Sequence, residues 1–385
     1  MISFALSPEQ EAFRSLAREF ARNEIAPVAA DYDRSGEFPW PVVEKAFDAG
    51  LVYPNIPEAH GGPGLDALGE CLLSEELAWG CAGISGAIGL SALIAHALLR
   101  AGSEEQKRRY LGEFLGDRKL AAYALTEPEA GSDAAAIQTR ACRHGDEYVI
   151  DGSKTFITIA AEASYFLVFA KTNPHDAHHG ISAFLVPRDA PGLTVGKKDD
   201  KMGQRAADTC QIFFQDVRVH RREMLGAEGE GFKLAMAVFD HSRPVVGAKG
   251  VGIARRAFEM ATDYANQRRT FGRPIIDHQG IGFLLADMFI RVEAARLLCW
   301  QAAWRADSGI PSSPLASAAK CFGADVAMQV TTDAVQVFGG YGYMREYGVE
   351  KLMRDAKVVQ IYEGTTQIQR LIIARSLKRR GEGGR

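Results

Sequence analysis

Apolar positions recur at helical spacing through roughly the first 120 residues, where Phe13, Leu16, Ala17 and Phe20 make one stripe. Ser7-Pro8-Glu9-Gln10, ahead of that stripe, is a capping box with proline at the first helical position. Ser103-Glu104-Glu105-Gln106 repeats the cap, and Tyr110, Leu111 and Phe114 continue that helix. Pro54, Pro57 and Gly61-Gly62-Pro63-Gly64 mark a long loop between them. From about Lys119 to Gly231 the runs shorten and alternate. Tyr148, Ile150, Phe156, Phe166, Val168, Phe184, Val186, Ile212 and Phe214 stand among turn residues such as His144-Gly145-Asp146, which predicts a small antiparallel β domain. The helical period then returns, with helices predicted over 232–266, 275–307, 314–338 and 365–376. The pattern predicts a mainly α chain with a β insert: an N-terminal helical domain over 1–120, a middle β domain over 121–231 and a C-terminal helical bundle over 232–385.

Composition narrows the function without naming it. The 385 residues are 47% hydrophobic and 24% charged, as in an ordinary globular protein. Lys and Arg total 45 against 48 Asp and Glu, so no concentrated basic surface for nucleic acid is expected. The basic run at Lys378-Arg379-Arg380 reads as a solvated end. Cys71, Cys81, Cys142, Cys210, Cys299 and Cys321 are scattered, without a CxxC pair, and read as reduced thiols of a cytoplasmic protein. No signal peptide is evident at the start. The most apolar stretch, Gly86 to Leu99, is interrupted by Ser91 and His96 and reads as too short to span a membrane.

Several segments invite a chemical reading. Gly247-Ala248-Lys249-Gly250-Val251-Gly252 superficially matches a dinucleotide loop. It lies inside a helical stretch with no strand before it, so small residues for close helix packing are the better reading. His175, His178 and His179 sit in a loop between strands with no cysteine to complete a metal site, and no metal is expected. The segment from Tyr123 to Asp133 offers hydroxyls and backbone N–H groups at a turn, suited to capping or to an anion. Asp240 and Arg243 stand three apart on one helical face, which alone describes an intrahelical ion pair. Glu363, in Ile361-Tyr362-Glu363-Gly364-Thr365, is an acid in an apolar and aromatic setting at a glycine-broken helix start. Desolvation there raises a carboxyl pKa toward that of a usable base.

In order and spacing, Tyr123-to-Asp133, Met202-Gly203-Gln204-Arg205, Phe239-to-Pro244, Arg269-Thr270-Phe271-Gly272, Gln336-to-Gly340 and Leu352-to-Arg370 resemble the signatures of acyl-CoA dehydrogenases. The resemblance runs over essentially all of residues 1–380 and is nearest to the medium-chain and short-chain branch. It implies an N-terminal helical domain, a β domain and a C-terminal four-helix bundle in a homotetramer, with FAD held where the domains meet. By position, Tyr123, Leu125, Thr126, Gly131 and Ser132 would contact the flavin half, with Phe156, Ile157 and Thr158. Arg268, Arg269, Thr270, His278 and Gln279 would hold the rest across a subunit boundary, together with Gln336 and Gly340; Thr365 and Gln367 complete that set. Ser132, Asp240, Arg243 and Gly364 match positions that meet the acyl-CoA.

The implied reaction removes the α-proton of an acyl thioester with Glu363 while the β-hydride goes to the flavin. The product is a trans-2-enoyl-CoA, and electron-transfer flavoprotein takes the electrons. Three departures stand out: Glu129 where the loop usually has Gly, Phe156 for the commoner Trp, and Ile159-Ala160-Ala161 for an Asn-Gly turn. Related enzymes that carry the base elsewhere would have it at Ser242, which cannot serve. The helix from Ile84 to Leu99 has no Lys or Arg, which disfavours a dicarboxylic acyl group and favours straight short to medium chains. The alternatives are a branched or alicyclic acyl-CoA dehydrogenase, an oxidase or lyase on the same scaffold, and a catalytically silent flavoprotein.

Overall fold

The computed structural model describes residues 5–382, with side chains through Lys378; Arg379 and Arg380 of the basic tail lie outside the described side chains. Seven helices open the chain: α1 (Pro8–Phe20), α2 (Ala29–Ser35), α3 (Trp40–Asp48), α4 (Ala67–Gly80), α5 (Ala82–Gly89), α6 (Ala92–Ala101) and α7 (Glu104–Gly116). Both predicted capping boxes are formed, with Ser7 accepting from the Gln10 N–H and Ser103 from the Gln106 N–H. Strands β1 (Ala121–Ala124), β2 (Arg140–His144), β3 (Glu147–Thr158), β4 (Tyr165–Lys171), β5 (Ile181–Pro187), β6 (Leu193–Lys198), β7 (Thr209–His220) and β8 (Met224–Leu225) follow. Then come α8 (Gly231–Gln267), a short hairpin of β9 (Arg269–Thr270) and β10 (Arg273–Pro274), α9 (Gln279–Asp307), α10 (Ser313–Phe338), α11 (Val349–Lys357) and α12 (Thr366–Glu382).

Three expectations need correction. The sheet, in the order β6-β7-β3-β2-β4-β5-β8, is mixed rather than purely antiparallel, because β1 and β2 both pair with β4 in parallel. Parallel pairing needs a long connection, and residues 125–164, which include β2 and β3, supply it between β1 and β4. Helix α11 falls in a segment where no helix was expected; its first turn follows Gly348 in the left-handed region. The apolar stretch extends over 20 residues, Ala82–Ala101, long and apolar enough to cross a membrane, but 72% of it is buried within the protein. It is a core element, as α5 and α6 supply buried Ile84, Ile88, Ile94 and Leu98.

The glycines of α8 are packing residues. A Cβ on Gly247 would stand 2.7 Å from the Ala319 carbonyl of α10, and one on Gly250 2.6 Å from that of Gly323, so the helix axes can approach only without side chains there. A buried ionic knot ties the N-terminal helices to this bundle. Glu76, 1% exposed, receives Arg14 and Arg18 from α1 and Arg255 from α8, while its neighbour Glu75 receives Arg255 and Arg296. Burial alone would raise the Glu76 pKa, but the guanidinium groups of Arg255 and Arg18 override it and hold the carboxyl at about 2.

Candidate active site

Where α8 passes between α4, α5 and the segment before α12, the side chains leave a pocket. Its walls are apolar on one side (Leu73, Leu77, Leu90, Leu93, Val245, Val246), and Gly86 and Gly89 of α5 line it without side chains. Glu363 lines it, in a loop whose backbone is unusual: φ is 51° at Glu363 and 87° at Gly364. A non-glycine residue in the left-handed region costs energy unless its surroundings impose it. They do so here. The Gln369 carboxamide donates to the Glu363 and Gly364 carbonyls, at 3.1 and 3.0 Å, and Lys320 Nζ donates to Gly364 O at 2.7 Å. The Glu363 N–H itself has no partner among the described residues and is free to donate.

The Glu363 carboxylate accepts from Ser242 Oγ at 2.5 Å. The position at which related enzymes were expected to carry a base thus touches the acid that this chain does carry. Burial raises the Glu363 pKa; the Ser242 hydroxyl and the Lys320, Lys249 and Arg243 cations pull against it. Tyr123 packs its ring against Phe169 and Phe239. Its hydroxyl is buried without a hydrogen-bond partner, and its pKa is pushed well up by burial and by the Glu363 charge. Arg243 is 4% exposed and pairs with Asp240, which also accepts from Ser313. Its buried Nε has no partner. The Asp240–Arg243 pair is therefore no solvated surface pair of small value: the guanidinium is desolvated and keeps one N–H without a partner. Pro244 removes the N–H that would have bonded the Asp240 carbonyl, loosening the helix at this point.

The predicted cofactor residues gather in two groups. In the first, the Thr155 N–H donates to Thr126 O at 2.9 Å, joining the loop after β1 to β3. Phe156 there is 68% exposed with φ at 57°, an aromatic face turned outward at a strained residue. Such a face fits a flat ring system lying on it. Leu125 and Ile157 are 6% and 1% exposed and can meet a ligand only through their backbones, whereas Thr126 and Thr158 are partly open and Gly131 and Ser132 exposed. Glu129 is exposed and leaves the loop undisturbed. The turn lacking Asn-Gly closes with Ile159 in the left-handed region, pinned by Asp208, which accepts from the Ile159 and Ala161 N–H groups through its carbonyl and its carboxylate.

In the second group, Arg268, Thr270 and Gly340 line a cleft of about 460 Å³ with Phe338 and Tyr341. Thr270 is hydrogen-bonded to His278 at 3.2 Å, which orders the approach to Gln279, and Gln336 is exposed in the last turn of α10. A cation beside a glycine turn suits a phosphate-bearing group. Arg269 is occupied by the Gly272 carbonyl at 3.0 Å. Thr365 caps α12, its Oγ1 accepting from the Ile368 N–H at 3.2 Å, and Gln367 is exposed beside it.

Other residues of the site escaped the sequence reading. Lys154, 0% exposed, donates to Glu127 at 2.7 Å and to Leu125 O at 3.0 Å, fixing the loop that carries Thr126. A lysine within an apolar strand was the available signal. Lys249, 8% exposed, lines the pocket from α8; it was read only as part of a glycine-rich packing segment. His241 pairs with Glu70 at 2.6 Å and stacks on His96, 4.0 Å between centroids, at the pocket's margin. No cluster of three or more His, Cys, Asp or Glu placed for a metal occurs among the described residues.

Models of the N-terminal, middle and C-terminal domains of acyl-CoA dehydrogenase match residues 7–117, 122–217 and 229–378 in turn. The chain belongs to the acyl-CoA dehydrogenase family. An acyl-CoA dehydrogenase of Bacillus subtilis is 44% identical over 377 residues, 97% of this chain and 98% of that one. Butyryl-CoA dehydrogenase from Megasphaera elsdenii superposes with a TM-score of 0.95 at 41% identity, covering 98% of this chain and all (100%) of the other. A chain in a structure of the electron transferring flavoprotein of Acidaminococcus fermentans gives a TM-score of 0.95 at 42% identity, covering 98% and 99%. Membership makes this protein an FAD-dependent oxidoreductase acting on acyl-CoA, and the exposed Phe156 face and the Arg268 cleft fit that cofactor.

Proposed function

We propose that this acyl-CoA dehydrogenase removes the α-proton of a short- to medium-chain saturated acyl-CoA with Glu363 and yields the trans-2-enoyl-CoA. One observation carries the reading: Glu363 lines a largely apolar pocket, with its proton affinity raised by burial yet moderated by three cations. FAD, when bound, accepts the β-hydride. Residues suited to hold it are Thr126, Phe156 and Thr158 on one side, and Arg268, Thr270, Gln336 and Gly340 on the other.

The chain's own groups do the rest. A thioester α-proton is too weakly acidic to leave unless charge on the carbonyl oxygen is stabilised as it develops. The free Glu363 N–H is a backbone donor for that oxygen, and such a donor is worth about 3 kcal/mol. Ser242 holds the carboxylate in place, and the apolar walls keep water from the reacting carbons. Arg243 has an N–H to spare for the acyl-CoA.

Electrons leave, in this reading, to an electron-transfer flavoprotein, which the likeness to the Acidaminococcus fermentans chain supports. A homotetramer is supported by α9, which exposes Phe283, Phe289, Ile290 and Trp304 at 62, 52, 61 and 56%. The test is anaerobic titration of the yellow holoprotein with butyryl-, hexanoyl- and octanoyl-CoA. Bleaching of the flavin and formation of the enoyl-CoA are expected; a flavin that stays oxidised with every saturated acyl-CoA tried overturns the reading.

A further inference from the structure

Most charged or titratable groups lining the acyl pocket already have partners. Glu70 holds His241, His241 stacks on His96, and Glu363 receives Ser242. Lys249 does not. Its Nζ makes no hydrogen bond and no ion pair within 4 Å among the described residues; it lies 5.9 Å from the centre of the Tyr362 ring and feels the Glu363 charge from farther off. The residue is 8% exposed and stands on the pocket wall. Space has been left for the ammonium: a Cβ added at Gly86, on the facing helix, would come within 3.3 Å of Nζ. Burying an unpaired ammonium is costly, and a pocket that presents one gains most from a ligand that supplies the missing anion.

Position on the helix gives the length of that ligand. Ser242, which touches Glu363, and Lys249 are two turns apart on α8, about 10 Å along the axis. Long side chains on a helix lean toward its N-terminus, so the ammonium reaches back toward Glu363. The two groups therefore face one short stretch of pocket.

We propose that Lys249 makes its part of the pocket a carboxylate subsite, so that the preferred acyl group is a short dicarboxylic one, its thioester end at Glu363 and its free carboxylate on Lys249. The lack of a cation on α5 and α6 before Arg100 argues against such an acyl group, but the cation comes instead from the opposite wall. The inference rests on the dehydrogenase reading above and narrows its substrate. It also separates Lys249 from the other two cations near Glu363: Lys320 is already committed to the Gly364 carbonyl and Arg243 to Asp240. Burial pushes the Lys249 pKa down, against the pull of the Glu363 charge, to about 8, which keeps most of the side chain charged at neutral pH.

The experiment compares single-turnover flavin bleaching by glutaryl-CoA, its neutral methyl ester and pentanoyl-CoA in wild type, Lys249→Met and Lys249→Arg holoenzymes. Wild type is expected to favour glutaryl-CoA over both neutral thioesters by at least about tenfold in kcat/KM, the worth of one buried charge-assisted hydrogen bond. Lys249→Met should abolish or reverse that ratio, and Lys249→Arg should retain part of it. If wild type bleaches readily with pentanoyl-CoA but shows no preference for glutaryl-CoA, the carboxylate subsite is wrong while the dehydrogenase reading stands. Equal losses on all three thioesters in Lys249→Met would likewise overturn it, by showing that Lys249 serves only the Glu363 charge. Bleaching by none of them, nor by longer saturated acyl-CoAs, overturns both.

Discussion

Replacing Glu363 by Gln isolates the proton-transfer role, because the structure holds this residue by features the substitution leaves alone. The left-handed backbone at φ 51° is set by the Gln369 and Lys320 bonds to the Glu363 and Gly364 carbonyls, none of which involves the Glu363 side chain. Gln has the same volume and can still accept from Ser242 through its carbonyl oxygen. What disappears is a negative charge facing Lys320, Lys249 and Arg243, and the basic lone pairs. The protein should therefore fold, keep its FAD and bind acyl-CoA. A positioned base contributes about 10²–10⁴ in rate, and a carbon acid sits at the upper end, so flavin reduction should slow by at least ~10³, or about 4 kcal/mol of barrier. Stopped-flow bleaching measures this, read beside the shift of the oxidised flavin spectrum that reports binding. Reduction within tenfold of wild type, with binding intact, would falsify the assignment of Glu363 as the base.

Ser242→Ala removes a hydrogen bond that lowers the Glu363 pKa. The reactive form is the carboxylate, so reduction rises as pH climbs through that pKa, and the rising limb should move to higher pH in the variant; an unmoved limb refutes the contact's role. Arg243→Ala should weaken acyl-CoA binding by about 10²-fold or more, as expected for a buried charged donor, with FAD content near normal; loss of FAD at unchanged substrate affinity would contradict the placement of its free Nε. Glu76→Gln breaks a buried knot with Arg14, Arg18 and Arg255 and should cost about 3–5 kcal/mol in denaturant unfolding. The Glu76 pKa is depressed in the folded state, so the stability it gives is full above the unfolded carboxyl pKa and fades as pH falls toward about 2; the variant should lose less stability than wild type across that acid window.

What was legible in the sequence, and what was not, follows from whether a signal is local. The capping boxes at Ser7 and Ser103 are four-residue devices that work wherever they occur, and both formed. The mixed pairing of β1 and β2 with β4 was not legible, since alternation reports a strand's faces and says nothing of its neighbour's direction. Helix α11 was missed between glycine-rich turns, where Gly348 starts the helix rather than ending one. The candidate site divides the same way. Glu363 could be singled out because its apolar flanks and the glycine after it are adjacent in the chain. Lys249 could not, because its meaning lies in Gly86, 163 positions away, and in its having no hydrogen-bond or ion-pair partner among the described residues. The sequence search for a substrate counter-charge covered one wall of the pocket, whereas a pocket between helices draws each wall from a different segment. The unpartnered charge thus became visible only when burial and hydrogen bonding could be read together. The segment around Glu363 is continuous in the chain and carries part of the family resemblance, so the proposed chemistry was within reach of the sequence, whereas the proposed acyl group rests on side chains from separate segments.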